Sequence, residues 1–213
     1  MWQGTFAEMQ PECSIDVPGG QLCVHSVSPA PEVHGAQRFP FGGGRPHERA
    51  AVDAALTALG LPTATHPVGH RPDGAPHFLD PTAPSLSASH TRLLDGRIAA
   101  AVYVGTAGIG VDIEVPSDRI ARVAPRVFHA DELAACGSDL QRLGVVWCTK
   151  EATWKGRGPA LVFAHDVAVD PGELDRLPEE GGWIRGRFRG EAVQWWARAT
   201  AEWCVAVGPF PVE

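Results

Sequence analysis

The residues best suited to chemistry lie in one stretch, residues 145–155, where an aromatic ring, a carboxylate and an ammonium group recur four positions apart. These are Trp147, Glu151 and Lys155, which share one helix face at about 3.6 residues per turn. Glu151 before Lys155 is also the arrangement of an ordinary surface ion pair, worth about 0.2–0.5 kcal/mol. Of 18 basic residues, however, only Lys150 and Lys155 are lysines. Because lysine is a compact point charge and arginine a planar fork, two lysines in one helix favour a functional interpretation.

A second chemical pattern lies earlier in the chain, where Val111 and Ile113 alternate with Asp112 and Glu114. Strand side chains alternate, so the two acids share one face. An exposed edge strand that uses charge to deter aggregation would also give this pattern. Two carboxylates that close repel each other unless a cation lies between them. With Glu151 as a third carboxylate, an oxygen-only site for Mg²⁺ is predicted, since Mg²⁺ takes carboxylates and leaves its other positions to water and phosphates.

Together these two patterns resemble a known family. The sequence G-V-D-I-E at residues 110–114 and W-C-T-K-E-A-T-W-K at residues 147–155 resemble the two signature motifs of the 4′-phosphopantetheinyl transferases. The second motif is similar to the surfactin-type group, which has W-x-x-K-E-A-x-x-K. Both motifs are complete and in the family order. The resemblance implies two similar halves, related by a pseudo-twofold axis, with the active site in the cleft between them. Their expected bounds are residues 1–105 and 106–213.

The resemblance also implies a reaction and a set of roles. The 4′-phosphopantetheine group of coenzyme A would pass to a serine of an apo acyl or peptidyl carrier protein, releasing adenosine 3′,5′-bisphosphate. Asp112, Glu114 and Glu151 would hold Mg²⁺, and Asp112, Glu151 and Lys155 would be catalytic. Glu151 would act as the general base, while Lys155 would neutralise charge on the phosphates. Lys150 and Lys155 would both contact coenzyme A.

The resemblance extends to the start of a predicted helix in the first half. The sequence G-R-P-H-E-R at residues 44–49 fits the family's G-R-x-x-x-R, which implies that Arg49, together with Arg45, binds the 3′-phosphate of coenzyme A. An arginine beside a helix N-terminus is a reasonable anion site. Two solvated arginines would give the same pattern. In an alternative register, aligned from the end of the helix, the second arginine of the motif falls on Asp53.

A further stretch of the first half resembles a family motif that contacts the pyrophosphate of coenzyme A. The sequence S-A-S-H-T at residues 87–91 resembles the family's S-I-S-H-[ST]. The resemblance implies that Ser89 and His90 contact the coenzyme A pyrophosphate. Three arginines after the acidic strand could meet an acidic carrier protein, although a plain solvated face is an equally good explanation. They are Arg119, Arg122 and Arg126.

Composition and charge argue against several functional classes of protein. The chain has 213 residues and a net charge of −7, which argues against a general binder of nucleic acid or membrane surfaces. Its five cysteines are odd in number and lack C-x-x-C spacing, which favours reduced thiols in the cytoplasm. No apolar run approaches the ~20 residues of a membrane span, and the N-terminus lacks a signal-peptide pattern. We expect a cytoplasmic monomer.

The predicted elements are segregated rather than strictly alternating, so the expected fold class is α+β, with small antiparallel sheets packed against helices. Residues 1–43 are expected to be mostly loop, with an edge strand at residues 22–27. Helices are expected from the start of the arginine motif to about Gly60, and from about 131 to 143 with Asp131 as its N-cap. The tail alternates as an antiparallel meander whose tryptophans face the core.

Two other functional classes share part of the pattern. A metal-dependent phosphodiesterase or nuclease also combines acidic residues with a lysine. Such enzymes usually place the acid and the lysine two apart on a strand, whereas Lys155 follows Glu151 by four on a helix, and the chain has no basic stripe. A non-catalytic relative that binds coenzyme A or a carrier is the other alternative. The three acids and Lys155 are all present, so the motifs give no sign of lost catalysis.

Overall fold

A computed structural model describes residues 11–28, 46–177 and 179–212. Its strands are β1 Cys13–Val17, β2 Gly20–Val27, β3 Val68–His70, β4 Pro76–Phe78, β5 Ser85–Arg92, β6 Ile98–Gly105, β7 Gly110–Glu114, β8 Val167–Val169, β9 Gly182–Phe188, β10 Glu191–Ala199 and β11 Cys204–Pro211. Its helices are α1 Pro46–Ala58, α2 Asp118–Val127, α3 Ala130–Cys136, α4 Leu140–Arg157, α5 Phe163–Asp166 and α6 Pro171–Leu174. None of these helices is long and apolar enough to cross a membrane.

The first sheet has the strand order β1-β2-β6-β5, and every neighbouring pair is antiparallel. Helix α1 packs on β2 and β6 and buries Ala55 and Leu56 against them. Two sequence expectations are wrong here. Strand β2 is paired on both sides rather than at an edge, and β1 lies where loop was expected. The short turn between them, with Gly19 at φ +72°, lets β1 fold back onto β2.

The second sheet has the order β7-β11-β10-β9-β8 and is antiparallel throughout. Its last four strands run in sequence order, which confirms the predicted meander. Trp195, Trp196 and Trp203 are buried in the core, as predicted, while Trp183 is 40% exposed. Strands β3 and β4 form a third, two-stranded antiparallel sheet. All three sheets are antiparallel and the two larger ones are packed with helices, so the predicted α+β class is confirmed.

The single helix expected at 131–143 is wrong, because the chain forms two helices there. Helix α3 ends at Cys136, and Gly137 follows at φ +55°. Asp139 then caps α4, with its carboxylate accepting hydrogen bonds from the backbone N–H groups of Gln141 and Arg142. Asp131 lies inside the first turn of α3 and does not cap it. A glycine at positive φ and a new N-cap within three residues start a new helix axis.

The two sheets meet where β5 lies against β7. β7 is at the edge of its own sheet, and serine and threonine side chains of β5 reach across to it. Ser87 Oγ, for example, accepts a hydrogen bond from the backbone N–H of Val111 at 3.1 Å. Side chains therefore bridge the sheets at this junction, which brings the S-A-S-H-T stretch beside the acidic strand.

Candidate active site

Helix α4 is largely buried, and the side chains at Trp147, Glu151 and Lys155 form a partly exposed stripe along it. Neighbouring positions such as Cys148 and Ala152 are fully buried. The four-residue spacing read from the sequence therefore describes a real helix face. That face is the part of α4 from which these side chains can meet a ligand.

The last turn of α4 comes very close to the start of β7 because both contacting positions are glycine. A Cβ at Gly110 would lie 2.1 Å from the Ala152 carbonyl oxygen, and a Cβ at Gly156 would lie 2.6 Å from the Gly108 carbonyl oxygen. Any larger residue would push the helix off the strand. The glycines on either side of the two motifs thus set the short distance between Lys155 and Asp112.

Lys155, Asp112 and Ser89 form a closed triangle at the junction of the sheets. Lys155 Nζ lies 2.6 Å from Asp112 Oδ1 and donates a hydrogen bond to Ser89 Oγ at 2.8 Å. Ser89 Oγ in turn donates to Asp112 Oδ1 at 2.8 Å. The Asp112 side chain is 8% exposed and that of Lys155 is 24% exposed. The Asp112 carboxylate is therefore buried, whereas the Lys155 ammonium group still reaches solvent.

A similar contact two residues further along each strand involves Glu114. Thr91 Oγ1 donates a hydrogen bond to Glu114 Oε1 at 3.0 Å, and the Val115 backbone N–H donates to the same oxygen at 3.2 Å. Asp112 and Glu114 thus face the same side, as alternation predicted. Opposite these carboxylates, β5 carries hydroxyl groups at Ser89 and Thr91, which are also two residues apart. These hydroxyls hold both carboxylates in place.

Glu151 interacts electrostatically with Asp112, Lys155 and Glu114. Burial raises the pKa of the Glu151 carboxyl, and the negative charge of Asp112 raises it further, while Lys155 acts in the opposite sense. Glu114 adds a smaller increase in the pKa and Arg119 a smaller decrease. A carboxylate with a raised pKa is a better proton acceptor near neutral pH than an ordinary glutamate.

The three carboxylates do not converge on one point. Over the described ranges, no group of three His, Cys, Asp or Glu side chains is arranged to hold a metal ion. The Lys155 ammonium already contacts Asp112, and Glu114 is hydrogen-bonded to Thr91. The donor chemistry, three carboxylate side chains in one region, still fits a hard cation such as Mg²⁺. The predicted metal site remains a prediction.

The predicted coenzyme A ligands of the first half fall in two places. Ser89 belongs to the triangle, whereas His90, the next residue on the strand, is 43% exposed with Nε2 3.7 Å from Glu48 in the first turn of α1. Arg49 lies in that same turn and is partly buried. Its partner in the motif, Arg45, lies outside the described residues. Asp53, from the alternative register, accepts hydrogen bonds from the Thr63 backbone and hydroxyl, with the backbone contact at 3.0 Å.

Lys150 lies apart from this site, so we do not propose it as a ligand of coenzyme A. Its side chain has no exposed surface, and Nζ is 2.9 Å from Glu132, whose own side chain is 1% exposed. Lys150 Nζ also donates to the carbonyl oxygens of Phe163 and Val167. Burial lowers the pKa of Lys150, while the charge of Glu132 opposes that change. A phosphate on the surface cannot reach this ammonium group.

A cavity of about 350 Å³ opens beside the triangle. Ser87 and Ala88 of β5 line it, together with Ile109, Trp154 and Lys155 from the region of β7 and α4. Sequence reasoning did not identify one other cationic side chain on its wall, Arg71, because that residue lies in no recognised motif. Lys155 thus connects the triangle with a ligand-sized cavity, because it is the member of the triangle that lines the cavity.

Comparison with known proteins adds one finding. Residues 108–207 match the family model described as the 4′-phosphopantetheinyl transferase superfamily. No match was found among curated proteins. The matched segment contains the acidic strand β7 and the whole of α4, but it does not include β5 or α1. Over the part that carries Asp112, Glu151 and Lys155, the chain is therefore similar to 4′-phosphopantetheinyl transferases.

Proposed function

We propose that the protein transfers the 4′-phosphopantetheine group of coenzyme A to a serine of an apo acyl or peptidyl carrier protein, in a Mg²⁺-dependent reaction. The observation that carries the proposal is the triangle of Lys155, Asp112 and Ser89, whose lysine lines a cavity. The superfamily match over residues 108–207 supports it. A surfactin-type enzyme is the narrower proposal, resting on the W-x-x-K-E-A-x-x-K pattern.

In this reaction the carrier serine oxygen attacks the β-phosphorus of coenzyme A. Glu151 accepts the serine proton, consistent with its raised pKa. The bond from that phosphorus to the oxygen bridging the two phosphates breaks, and adenosine 3′,5′-bisphosphate leaves with the electron pair. Lys155 stabilises the negative charge that builds on the leaving group. Phosphoryl transfer needs mostly positioning and electrostatic stabilisation, which such side chains supply.

Asp112, Glu114 and Glu151 are the residues that would hold Mg²⁺, and when bound the ion would neutralise charge on the pyrophosphate. Ser89 and Thr91 orient two of these carboxylates through the hydrogen bonds described above. Arg49, with Arg45 and His90, would bind the 3′-phosphate and pyrophosphate of coenzyme A from the first half. Each of these assignments is part of the proposal.

The direct test is the intact mass of several purified apo carrier proteins after incubation with coenzyme A, Mg²⁺ and the protein. The expected result is a gain of one phosphopantetheine on a serine of at least one carrier. Chelation of the metal, or the substitution Asp112→Ala, should abolish the gain. Cleavage of simple phosphodiesters with no gain on any carrier would favour a phosphodiesterase instead, and full transfer by Asp112→Ala would reject the carboxylate site.

A further inference from the structure

The hairpin between β9 and β10 has an arginine at a position where its backbone favours another residue type. Phe188 pairs with Glu191, so Arg189 and Gly190 form a two-residue loop, with φ of +51° and +87°. Positive φ at both positions of such a loop favours asparagine or aspartate before glycine, because a larger side chain is strained there. Of the residues that the structure describes, Arg189 is the one non-glycine residue with positive φ. The turn by itself therefore does not account for an arginine.

The side chain of Arg189 contacts the segment that follows α4. This segment, residues 158–162, joins α4 to α5, and we call it the rim loop. Arg189 Nη2 donates a hydrogen bond to the carbonyl oxygen of Ala160 in the rim loop, and Nε lies 3.7 Å from Asp166 Oδ1. The Arg189 backbone N–H also donates to the Asp166 carbonyl oxygen at 2.7 Å. Arg189 therefore joins the hairpin to the rim loop and to α5.

Asp166 links Arg189 to a second position of the rim loop. While Asp166 Oδ1 faces Arg189, Oδ2 accepts a hydrogen bond from the backbone N–H of Val162 at 2.9 Å. The Asp166 side chain is 24% exposed and that of Arg189 is 52% exposed. Arg189 thus holds the rim loop directly at Ala160 and through Asp166 at Val162.

The ring of Phe188 adds a further contact at the start of the rim loop. The guanidinium carbon of Arg189 lies 5.4 Å from the ring centroid, and that of Arg157 lies 5.8 Å from it. Both distances are within the range of a cation–π interaction. Arg157 is the last residue of α4, directly before the rim loop. The start and the end of the rim loop are therefore both tied to the β9–β10 hairpin.

The rim loop matters to the site because it forms part of the cavity wall. Gly158 and Pro159 line the cavity, together with Lys155 from the last turn of α4. The Gly158 N–H ends α4 by donating to the Trp154 carbonyl oxygen at 2.8 Å. A displaced rim loop would therefore change the cavity that Lys155 lines.

We infer that Arg189 is a positioning residue for substrate binding, which holds the rim loop on the β9–β10 hairpin and so keeps the cavity in the shape that coenzyme A requires. The inference rests on the proposed function, since coenzyme A is the proposed substrate. Arg189 is not one of the described residues that line the cavity. It therefore acts through the rim loop rather than by touching the substrate.

The test uses Arg189→Asn, because asparagine suits the backbone of this turn but lacks the guanidinium group. We expect a nearly unchanged melting temperature, since relief of the backbone strain offsets the lost contacts. Amide hydrogen exchange at residues 160–162 should become about tenfold faster or more, as expected when a local structure opens more often. The Kd of coenzyme A, from titration calorimetry at constant Mg²⁺ and ionic strength, should rise about tenfold, or ~1.4 kcal/mol. A residue that serves the turn alone would leave exchange and Kd unchanged.

The matched control is Arg187→Asn, which removes another exposed arginine from the same hairpin. Arg187 Nη1 donates to the Gly190 carbonyl oxygen at 3.1 Å, within the hairpin itself. This variant should change neither the exchange of the rim loop nor the Kd.

A second variant, Asp166→Asn, tests the same contact from its other partner. Asp166→Asn alone should also raise the Kd of coenzyme A. Combined with Arg189→Asn, it should raise the Kd by no more than about twofold beyond the larger single effect, because residues in one network are not additive. Fully multiplicative effects would contradict a shared contact.

The inference would be overturned by unchanged exchange of the rim loop in Arg189→Asn, by faster exchange with an unchanged Kd, or by an equal loss of affinity in Arg187→Asn. No binding of coenzyme A by the unaltered protein would reject it together with the proposed function. Normal binding of coenzyme A with no transfer to any carrier would instead reject the proposed function alone and leave the assignment of Arg189 standing.

Discussion

The two lysines of α4 have opposite environments although they are five residues apart on one helix. Lys150 is fully buried and donates to three acceptors, Glu132 and two backbone carbonyl oxygens. An ammonium group has three donors, so Lys150 is saturated. Lys155 is 24% exposed and donates to two side chains, Asp112 and Ser89. One of its donors remains for a ligand.

Their carboxylate partners differ in the same way. Both oxygens of Glu132 also accept hydrogen bonds from backbone N–H groups, those of His129 at 2.7 Å and Val169 at 2.8 Å. This pair ties α3, α4 and β8 together. Asp112, by contrast, lies near two further acids, and its partner Lys155 lines a cavity. One ion pair thus stabilises the fold, and the other is available for chemistry, although the sequence presents both as lysines of one motif.

The largest expected effect is on stability and comes from breaking the buried pair. Lys150→Met leaves the Glu132 charge buried without its partner, which costs about 3–5 kcal/mol. Urea unfolding should show this loss in the free energy of unfolding. The double variant Lys150→Met with Glu132→Gln removes both charges and should recover more than half of the loss. A double variant as unstable as the single one would show that the ion pair is not the cause.

The next effect is on rate and comes from the pair of Lys155 and Asp112. Lys155→Arg keeps the charge but replaces a compact ammonium with a bulky fork, so the charge is misplaced relative to the phosphates. We expect kcat to fall about 10²–10³-fold, or ~2.7–4 kcal/mol, with an unchanged melting temperature. Steady-state transfer kinetics and thermal melting measure the two quantities. A rate equal to that of the unaltered protein would reduce Lys155 to a surface ion pair.

The smallest expected effect concerns the hydroxyl between the lysine and the aspartate. Ser89→Ala removes a hydrogen bond to each of Lys155 and Asp112 but keeps both charges. We expect a fall in kcat of about tenfold, or ~1.4 kcal/mol, and a loss of stability of only about 1 kcal/mol. Transfer kinetics and urea unfolding measure the two quantities.

The matched control for this variant is Ser87→Ala, which makes the same change in side-chain size two residues earlier on β5. The Ser87 hydroxyl contacts a backbone N–H rather than the triangle, so its loss should lower kcat clearly less than the loss of the Ser89 hydroxyl. Equal rate losses in the two variants would contradict a specific role for Ser89.

Local periodicity explains which features of the fold and of the site were predictable. The common face of Trp147, Glu151 and Lys155 follows from the helix repeat, and the common face of Asp112 and Glu114 from the strand repeat. The antiparallel tail was predictable from alternation for the same reason. These features depend on residues within a few positions of one another, so no knowledge of the rest of the chain was needed.

Tertiary contacts decided the rest. Lys150 lies next to Glu151 in sequence, but its role depends on Glu132, which lies across a helix break that the apolar pattern concealed. The motif implies a phosphate contact for Ser89, and only the packed structure shows that its hydroxyl donates a hydrogen bond to Asp112 of another sheet. Arg71 reaches the cavity wall only because the β3–β4 hairpin folds beside β5. Burial and ion pairing join residues far apart in sequence, and such distances are set only when the whole chain packs.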